Sequence, residues 1–139
     1  DLALSSKDNG WATPQQTFDE LNHEFRFTLD PCASDENAKC DKYFTERDDG
    51  LIQDWSNEVV FMNPPYGKLI SKWIEKAYNE SLKGAIVVCL IPARTDTRYW
   101  HSFIFPYAQI RFLKGRLKFG GSKNSAPFPS AIVIFDKNK

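Results

Sequence analysis

The hydrophobic positions of this chain fall into two periods that alternate along it. Phe18, Leu21 and Phe25 recur at helical spacing after Thr13-Pro14, which predicts a helix ending near Phe25, with Thr13 as its cap and Pro14 at its first position. Phe27-Thr28-Leu29 is a short β-prone run stopped by Asp30-Pro31, and a strand that ends in an acidic residue before a small-residue turn is a common ligand-site geometry. Asp35 to Lys39 is expected to begin a helix, Tyr43-Phe44-Thr45 to form a second short strand, and Glu46 to Gly50 to turn. Apolar periodicity resumes over Leu51 to Trp55.

Val59-Val60-Phe61-Met62 reads as a buried strand broken by the rigid loop Asn63-Pro64-Pro65-Tyr66-Gly67. Ile70, Trp73, Ile74, Ala77 and Tyr78 then follow at helical spacing, and Ala85 to Ile91 is another apolar run, ended by Pro92. Tyr99 to Phe105 suits one more helix. Gln109 to Leu113 and Ala131 to Phe135 are strand-like and are expected to pair antiparallel at a sheet edge. Strand, loop, helix, strand implies an α/β fold with a largely parallel sheet and right-handed crossovers.

Composition bounds what such a fold is for. Of 139 residues 42% are hydrophobic, enough for one cohesive core, and the length leaves little room for a second, so residues 1–139 are read as a single domain. Eighteen Lys and Arg balance eighteen Asp and Glu, which excludes a uniformly basic nucleic-acid coat protein. No apolar run approaches the roughly 20 residues of a membrane span, and Asp1 to Ser6 lacks the basic and apolar regions of a signal peptide. The odd count of Cys32, Cys40 and Cys89, with no C-x-x-C pair, points to a reduced protein, and no metal site is expected from them.

The residues with the most chemistry are Asn63, Pro64, Pro65 and Tyr66. An exocyclic amine such as that of adenine donates its lone pair into the ring and is a poor nucleophile. The Asn63 side-chain oxygen and the Pro64 carbonyl are suited to accept its two N–H bonds and favour a tetrahedral nitrogen as positive charge develops. The prolines fix φ and hold those acceptors in place. Tyr66 offers a π-face for an extruded base, an interaction worth about 1–3 kcal/mol. Such a site requires no Ser or Cys nucleophile.

At these residues the chain resembles the class I S-adenosylmethionine-dependent methyltransferases that modify amino nitrogens, and most closely the phage-type DNA N6-adenine methyltransferases, also called Dam. The resemblance rests on Trp11 to Pro14, Phe27 to Ser34, Asn37 to Cys40, Asp54-Trp55, Asn63 to Tyr66, Leu90 to Ala93 and Gly115 to Phe119, in that order. It implies a Rossmann-like α/β sheet, mostly parallel with an antiparallel edge hairpin, and helices on both faces. It also implies transfer of a methyl group from S-adenosylmethionine to N6 of adenine in DNA, with Asn63, Pro64, Pro65 and Tyr66 at the target base. By the same resemblance Thr13 and Pro14, with Trp11 nearby, contact the methionine end of the donor. Asp30 reaches its ammonium, with Pro31, Ala33 and Ser34 in the adjoining turn, Asp49 reads its adenine, and Glu46 holds its ribose. The implied location is the cytoplasm of a bacterial host, from a phage or prophage gene. One departure is plain: Cys32-Ala33-Ser34 stands where such proteins carry a glycine-rich turn.

A DNA enzyme needs cations, because phosphate neutralisation supplies most non-specific affinity. Arg111, Lys114, Arg116, Lys118 and Lys123 gather around the expected edge hairpin, Arg94 follows a strand end, and most acidic residues precede Asn63. The zero net charge is therefore read as an acidic donor side opposed to a basic side facing DNA. Without a long insertion for a separate recognition domain, sequence reading is either loose or falls to the loop Gly120 to Ser130 and a partner subunit. Other readings of the same residues are methylation of an RNA base or a protein glutamine amide, and a nucleic-acid-binding module that has lost catalysis.

Overall fold

The computed structural model describes residues 11–139; the start Asp1 to Ser6, on which the expectation of no signal peptide rests, lies outside them. Four strands form a mixed sheet in the order β1 (Val59–Met62), β2 (Ile86–Pro92), β4 (Ser130–Phe135), β3 (Gln109–Phe112). β1 and β2 are parallel, pairing Val59 with Ile86 through Met62 with Cys89. β4 runs antiparallel to both its neighbours, with Val87 opposite Phe135 and Gln109 opposite Ile134. The expected antiparallel pair is present, but it is not a tight hairpin. β4 lies inside the sheet and β3 is its edge, and residues 113–129 between them fold back over one face.

The alternation of the strand side chains produces two cores. Val60 and Met62, Val87 and Cys89, and Val133 and Phe135 pack with Ile70, Trp73, Ile74 and Ala77 of helix α2 (Ile70–Leu82) and with Trp100 and Ile104. Phe61, Val88, Leu90, Ile132 and Ile134 pack instead with Phe18 and Leu21 of helix α1 (Gln15–Phe25) and with Phe119 and Phe128 from the β3–β4 connection. Helices thus cover both faces, as expected. Each large apolar side chain buried this way contributes about 1.5–3 kcal/mol. The segment Trp100–Ile104 is a π-type turn running into a helical turn at Phe105–Tyr107, in place of one regular helix over Tyr99 to Phe105.

The chain's path places three segment ends at one rim. Leu29 bridges Val60 in parallel, Asp30 bridges Tyr43 in parallel, and β1 is parallel to β2. From Asp30 the chain steps outward to Tyr43, then returns to the other side of Leu29 as β1. That reversal opens a crevice between Asp30 and Asn63, the position at which open α/β sheets bind ligands. The expected strand at Tyr43 to Thr45 is reduced to its single bridge.

Two local expectations are corrected. Pro14, not Thr13, is the residue that caps α1, and Thr13 makes no cap hydrogen bond because its hydroxyl is engaged by Asn63. Asp35 to Lys39 forms a turn and no helix. The Asn37 side chain accepts from the Ser34 amide, the Ser34 hydroxyl accepts from the Asn37 amide, and the Lys39 amide is diverted to Asp30. Local side-chain bonds of this kind compete with helix propagation.

Candidate active site

Asn63 emerges from β1 with only 5% of its surface exposed. Its Nδ2 donates to the Trp11 carbonyl at 2.9 Å and to the Thr13 Oγ1 at 2.8 Å. A carbonyl only accepts, so the amide nitrogen must face Trp11 and the amide oxygen must face away. Oδ1 is buried and has no partner among the described residues. Leaving an acceptor so costs about 1–3 kcal/mol, which marks it as a place where a ligand donor belongs. Pro64 and Pro65 are buried beside it.

Asn63 lines a cavity of about 370 Å³ together with Thr13, Gln15, Asp30, Cys32 and Lys39. That size lies within the roughly 300–1,000 Å³ of small-ligand sites. Asp30 is 5% exposed; one carboxylate oxygen accepts from the Cys32 amide at 3.2 Å and the other from the Lys39 amide at 3.0 Å. Burial pushes this carboxyl up to about 6, and the two amides and the Lys39 charge hold it from rising further. Its ionised form costs stability that is absent below about pH 4 and is fully imposed above about pH 6, so a cation entering the cavity relieves it.

The turn beyond Asp30 shows why it manages without glycines. No residue from Pro31 to Ser34 adopts positive φ, and the Ala33 amide is satisfied by the Phe44 carbonyl at 3.0 Å. The close approach that glycine permits occurs opposite, where a Cβ on Gly50 would lie 2.4 Å from the Pro31 carbonyl oxygen. Between them is a small cavity of about 20 Å³, to which Pro31, Ala33, Glu46 and Asp49 all contribute. Asp49 has φ 56°, and its side chain accepts from the Leu51 amide, starting the short 3₁₀ turn Gly50–Ile52. Trp55 fixes that turn from beneath, donating its indole N–H to the Gly50 carbonyl and its amide to the buried Glu80.

Tyr66 stands on the other side of the Asn63 loop. Its hydroxyl donates to the Leu90 carbonyl at 3.1 Å, and burial holds its pKa well above the usual value, so it stays protonated. The ring meets Phe119 and Phe128 edge-on at 6.2 and 5.8 Å, and Trp11 meets the same two rings at 5.5 and 5.1 Å. Tyr66 and Arg94 both line a further cavity of about 420 Å³, and the Arg94 guanidinium lies 5.5 Å from the Phe128 ring.

The residues picked out in the sequence thus divide. Thr13, Asp30 and Asn63 share the 370 Å³ cavity, and Pro31, Ala33, Glu46 and Asp49 share the 20 Å³ one. Trp11, Pro14 and Ser34 line neither: Trp11 supplies a carbonyl to Asn63, Pro14 caps α1 and Ser34 closes the turn with Asn37. Lys114, Arg116, Lys118 and Lys123 are exposed on the β3–β4 connection, which Phe119 pins beside Trp11 and Tyr66. Arg111 does not belong with them, since both its terminal nitrogens bind the Glu24 carboxylate at 2.8 and 2.6 Å. Sequence reasoning assigned no role to Lys39, Phe119 or Phe128. Lys39 and Phe119 stood in segments that carry the resemblance, whereas Phe128 had no signal beyond its apolarity. Among the described residues no three His, Cys, Asp or Glu side chains converge as metal ligands, and no helix is long and apolar enough to cross a membrane.

Several known proteins are similar in sequence to this chain. A DNA N-6-adenine-methyltransferase of Haemophilus phage HP1 is 25% identical over 134 residues, covering 91% of this chain and 78% of the phage protein. One of Escherichia phage T1 is 28% identical over 92 residues, covering 65% of this chain and 38% of that longer protein. A putative methyltransferase of Escherichia coli K12, YfdM, is 40% identical over 63 residues, covering 40% of this chain and 69% of YfdM. The sequence model of the DNA N-6-adenine-methyltransferase (Dam) family matches residues 2–138, so this chain belongs to that family.

Proposed function

We propose that the protein transfers a methyl group from S-adenosylmethionine to N6 of adenine in DNA, on a Rossmann-like class I methyltransferase fold. The observation that carries this reading is the Asn63 amide, fixed by its nitrogen and leaving a buried, unpartnered oxygen on a residue that lines the same cavity as Asp30. The donor supplies an electrophilic methyl group on a sulfonium centre. Its chemistry suits the residues present: an ammonium group relieves the buried Asp30 carboxylate, and Lys39 and Gln15 offer polar groups to the same amino-acid end. Glu46 and Asp49 are the candidates for the ribose and adenine; the cavity they border beyond Pro31 and Ala33, about 20 Å³, has room for one water, so the donor would lie across its mouth and not inside it.

At the target amine, Asn63 Oδ1 and the Pro64 carbonyl accept the two N–H bonds and draw the lone pair out of conjugation. The gain is largest as charge develops on nitrogen, so it acts on the transition state more than on bound substrate. Trp11, Phe119 and Phe128 hold the Tyr66 ring beside that site, and the hydrogen bond to Leu90 keeps its position. Labelled donor offered separately to duplex DNA, RNA and a protein pool tests the substrate class. Label is expected in DNA; label confined to RNA or protein refutes the reading.

The basic connection is proposed to meet phosphates. Replacing Lys114, Arg116, Lys118 and Lys123 by glutamine should flatten the salt dependence of DNA binding, by about 0.9 logarithmic units for each phosphate no longer neutralised. Fluorescence anisotropy across a salt series measures it, and an unchanged slope removes these residues from the interface.

A further inference from the structure

We propose that Thr13 is a positioning residue for the Asn63 amide, so that its main role lies in the methyl-acceptor site and not in contact with the donor; this rests on the function proposed above. The orientation of that amide decides whether it helps or hinders. With oxygen toward the target it accepts an amine N–H; with nitrogen toward the target it opposes an amine that has only hydrogens to offer. A primary amide has two nearly equal shapes, and only its surroundings choose between them.

Here the choice is made by the Trp11 carbonyl, which can only accept, while the Thr13 hydroxyl, able to donate or accept, takes the second hydrogen and holds the amide in that plane. The Trp11 carbonyl takes one Nδ2 hydrogen at 2.9 Å, and the Thr13 hydroxyl takes the other at 2.8 Å. Thr13 is 8% exposed, and among the described residues no acceptor takes its own hydroxyl proton. Among the described residues its oxygen accepts from Asn63 and from no second donor. Both groups are held in place from outside the site. The Ala12 carbonyl accepts from the Gly120 amide at 2.9 Å, and the Pro14 carbonyl accepts from the Phe18 amide at 3.1 Å, so residues on each side of Thr13 are anchored. Residues 11–13 thus form a fixed shelf under the amide, and the buried Oδ1 is the part it leaves unpaired.

The N-cap of α1 is Pro14, which has no side-chain acceptor, and the Thr13 hydroxyl just outside the helix bonds to Asn63, 50 positions away.

The test compares Thr13→Val, which keeps the shape and removes the oxygen, with Thr13→Ser, which restores it. Single-turnover methylation of an adenine-containing duplex is measured at saturating donor and DNA, and donor affinity is measured separately by calorimetry. Thr13→Val is expected to slow the single turnover about tenfold, the effect of one neutral hydrogen bond, with donor affinity within about twofold of the parent. Thr13→Ser should return most of the rate. A parental single-turnover rate in Thr13→Val, or a loss that appears in donor affinity and vanishes at saturation, overturns the proposal in favour of a donor contact. A readout independent of catalysis is the Asn63 side-chain NH₂ pair in ¹⁵N-resolved spectra of the whole chain. Its hydrogens should exchange slowly in the parent and in Thr13→Ser, and markedly faster in Thr13→Val; equal exchange in all three overturns the proposal. A parent that exchanges slowly yet methylates no adenine would refute the functional reading and leave the amide's orientation tested on its own.

Discussion

Asn63→Ala is expected to lower methyl transfer by at least about 10²–10³-fold at saturating donor and DNA, the range seen when one preorganised hydrogen-bonding group is removed from a charge-developing centre. The reason is that, among the described residues lining the cavity shared with Asp30, Asn63 alone has a buried side-chain acceptor with no protein partner. The loss should fall on kcat, because the interaction strengthens as the amine becomes cationic. Donor affinity should change little. Truncation also leaves the Trp11 carbonyl and the Thr13 hydroxyl without their donor, which costs about 1–3 kcal/mol of stability and lowers the melting temperature without unfolding the chain. A rate assay paired with a thermal melt separates the two effects.

The second large effect concerns Asp30 and has a sign that depends on pH. Its carboxyl is raised by burial to about 6, so between about pH 4 and 6 the folded protein holds a proton that the unfolded chain releases. The free protein should therefore lose stability as pH rises through that window, by roughly 3 kcal/mol over the full shift. Donor binding should run the other way. A cationic ammonium prefers the ionised carboxylate, so affinity should be highest between about pH 6 and 7.5, fall by up to about tenfold per unit below that window, and decline again as the donor's own amine loses its proton near pH 8. Asp30→Asn should weaken the donor by about 10–100-fold at neutral pH and abolish the pH dependence below 6. Calorimetry between pH 5 and 8 reads both; a parent whose donor affinity is flat across that range contradicts the assignment of Asp30 to the ammonium.

The parts of the fold that were legible in the sequence are those whose signal is local. Val59 to Met62 and Ala85 to Ile91 are uninterrupted apolar runs closed by proline-containing loops, and they became the parallel pair β1 and β2, the first with the same bounds at one end of the four-stranded sheet and the second shifted by one residue inside it. Asn63 could be placed at a strand end for the same reason. What was hidden depends on residues far apart in the chain. Nothing near Thr13 announces that its hydroxyl will serve Asn63, nothing near Arg111 that it will bind Glu24, 87 positions away, and nothing near Phe128 that it will pack against Trp11 and Tyr66. The misplaced helix at Asp35 to Lys39 failed differently. Its residues suit a helix, but Asp30 competes for the Lys39 amide, and a buried carboxylate is a stronger acceptor than a backbone carbonyl one turn back. The basic stretch was readable as charge, but only the anchoring of Phe119 shows how it comes to sit beside the Asn63 loop.

The central claim is that the Asn63 amide activates an adenine amine in DNA. The direct measurement is mass spectrometry of nucleosides released from a defined duplex after incubation with S-adenosylmethionine and either the parent chain or Asn63→Ala. The account predicts N6-methyladenine from the parent, at least about 100-fold less from Asn63→Ala, and equal donor binding by both. Equal amounts of N6-methyladenine from the two proteins would contradict it.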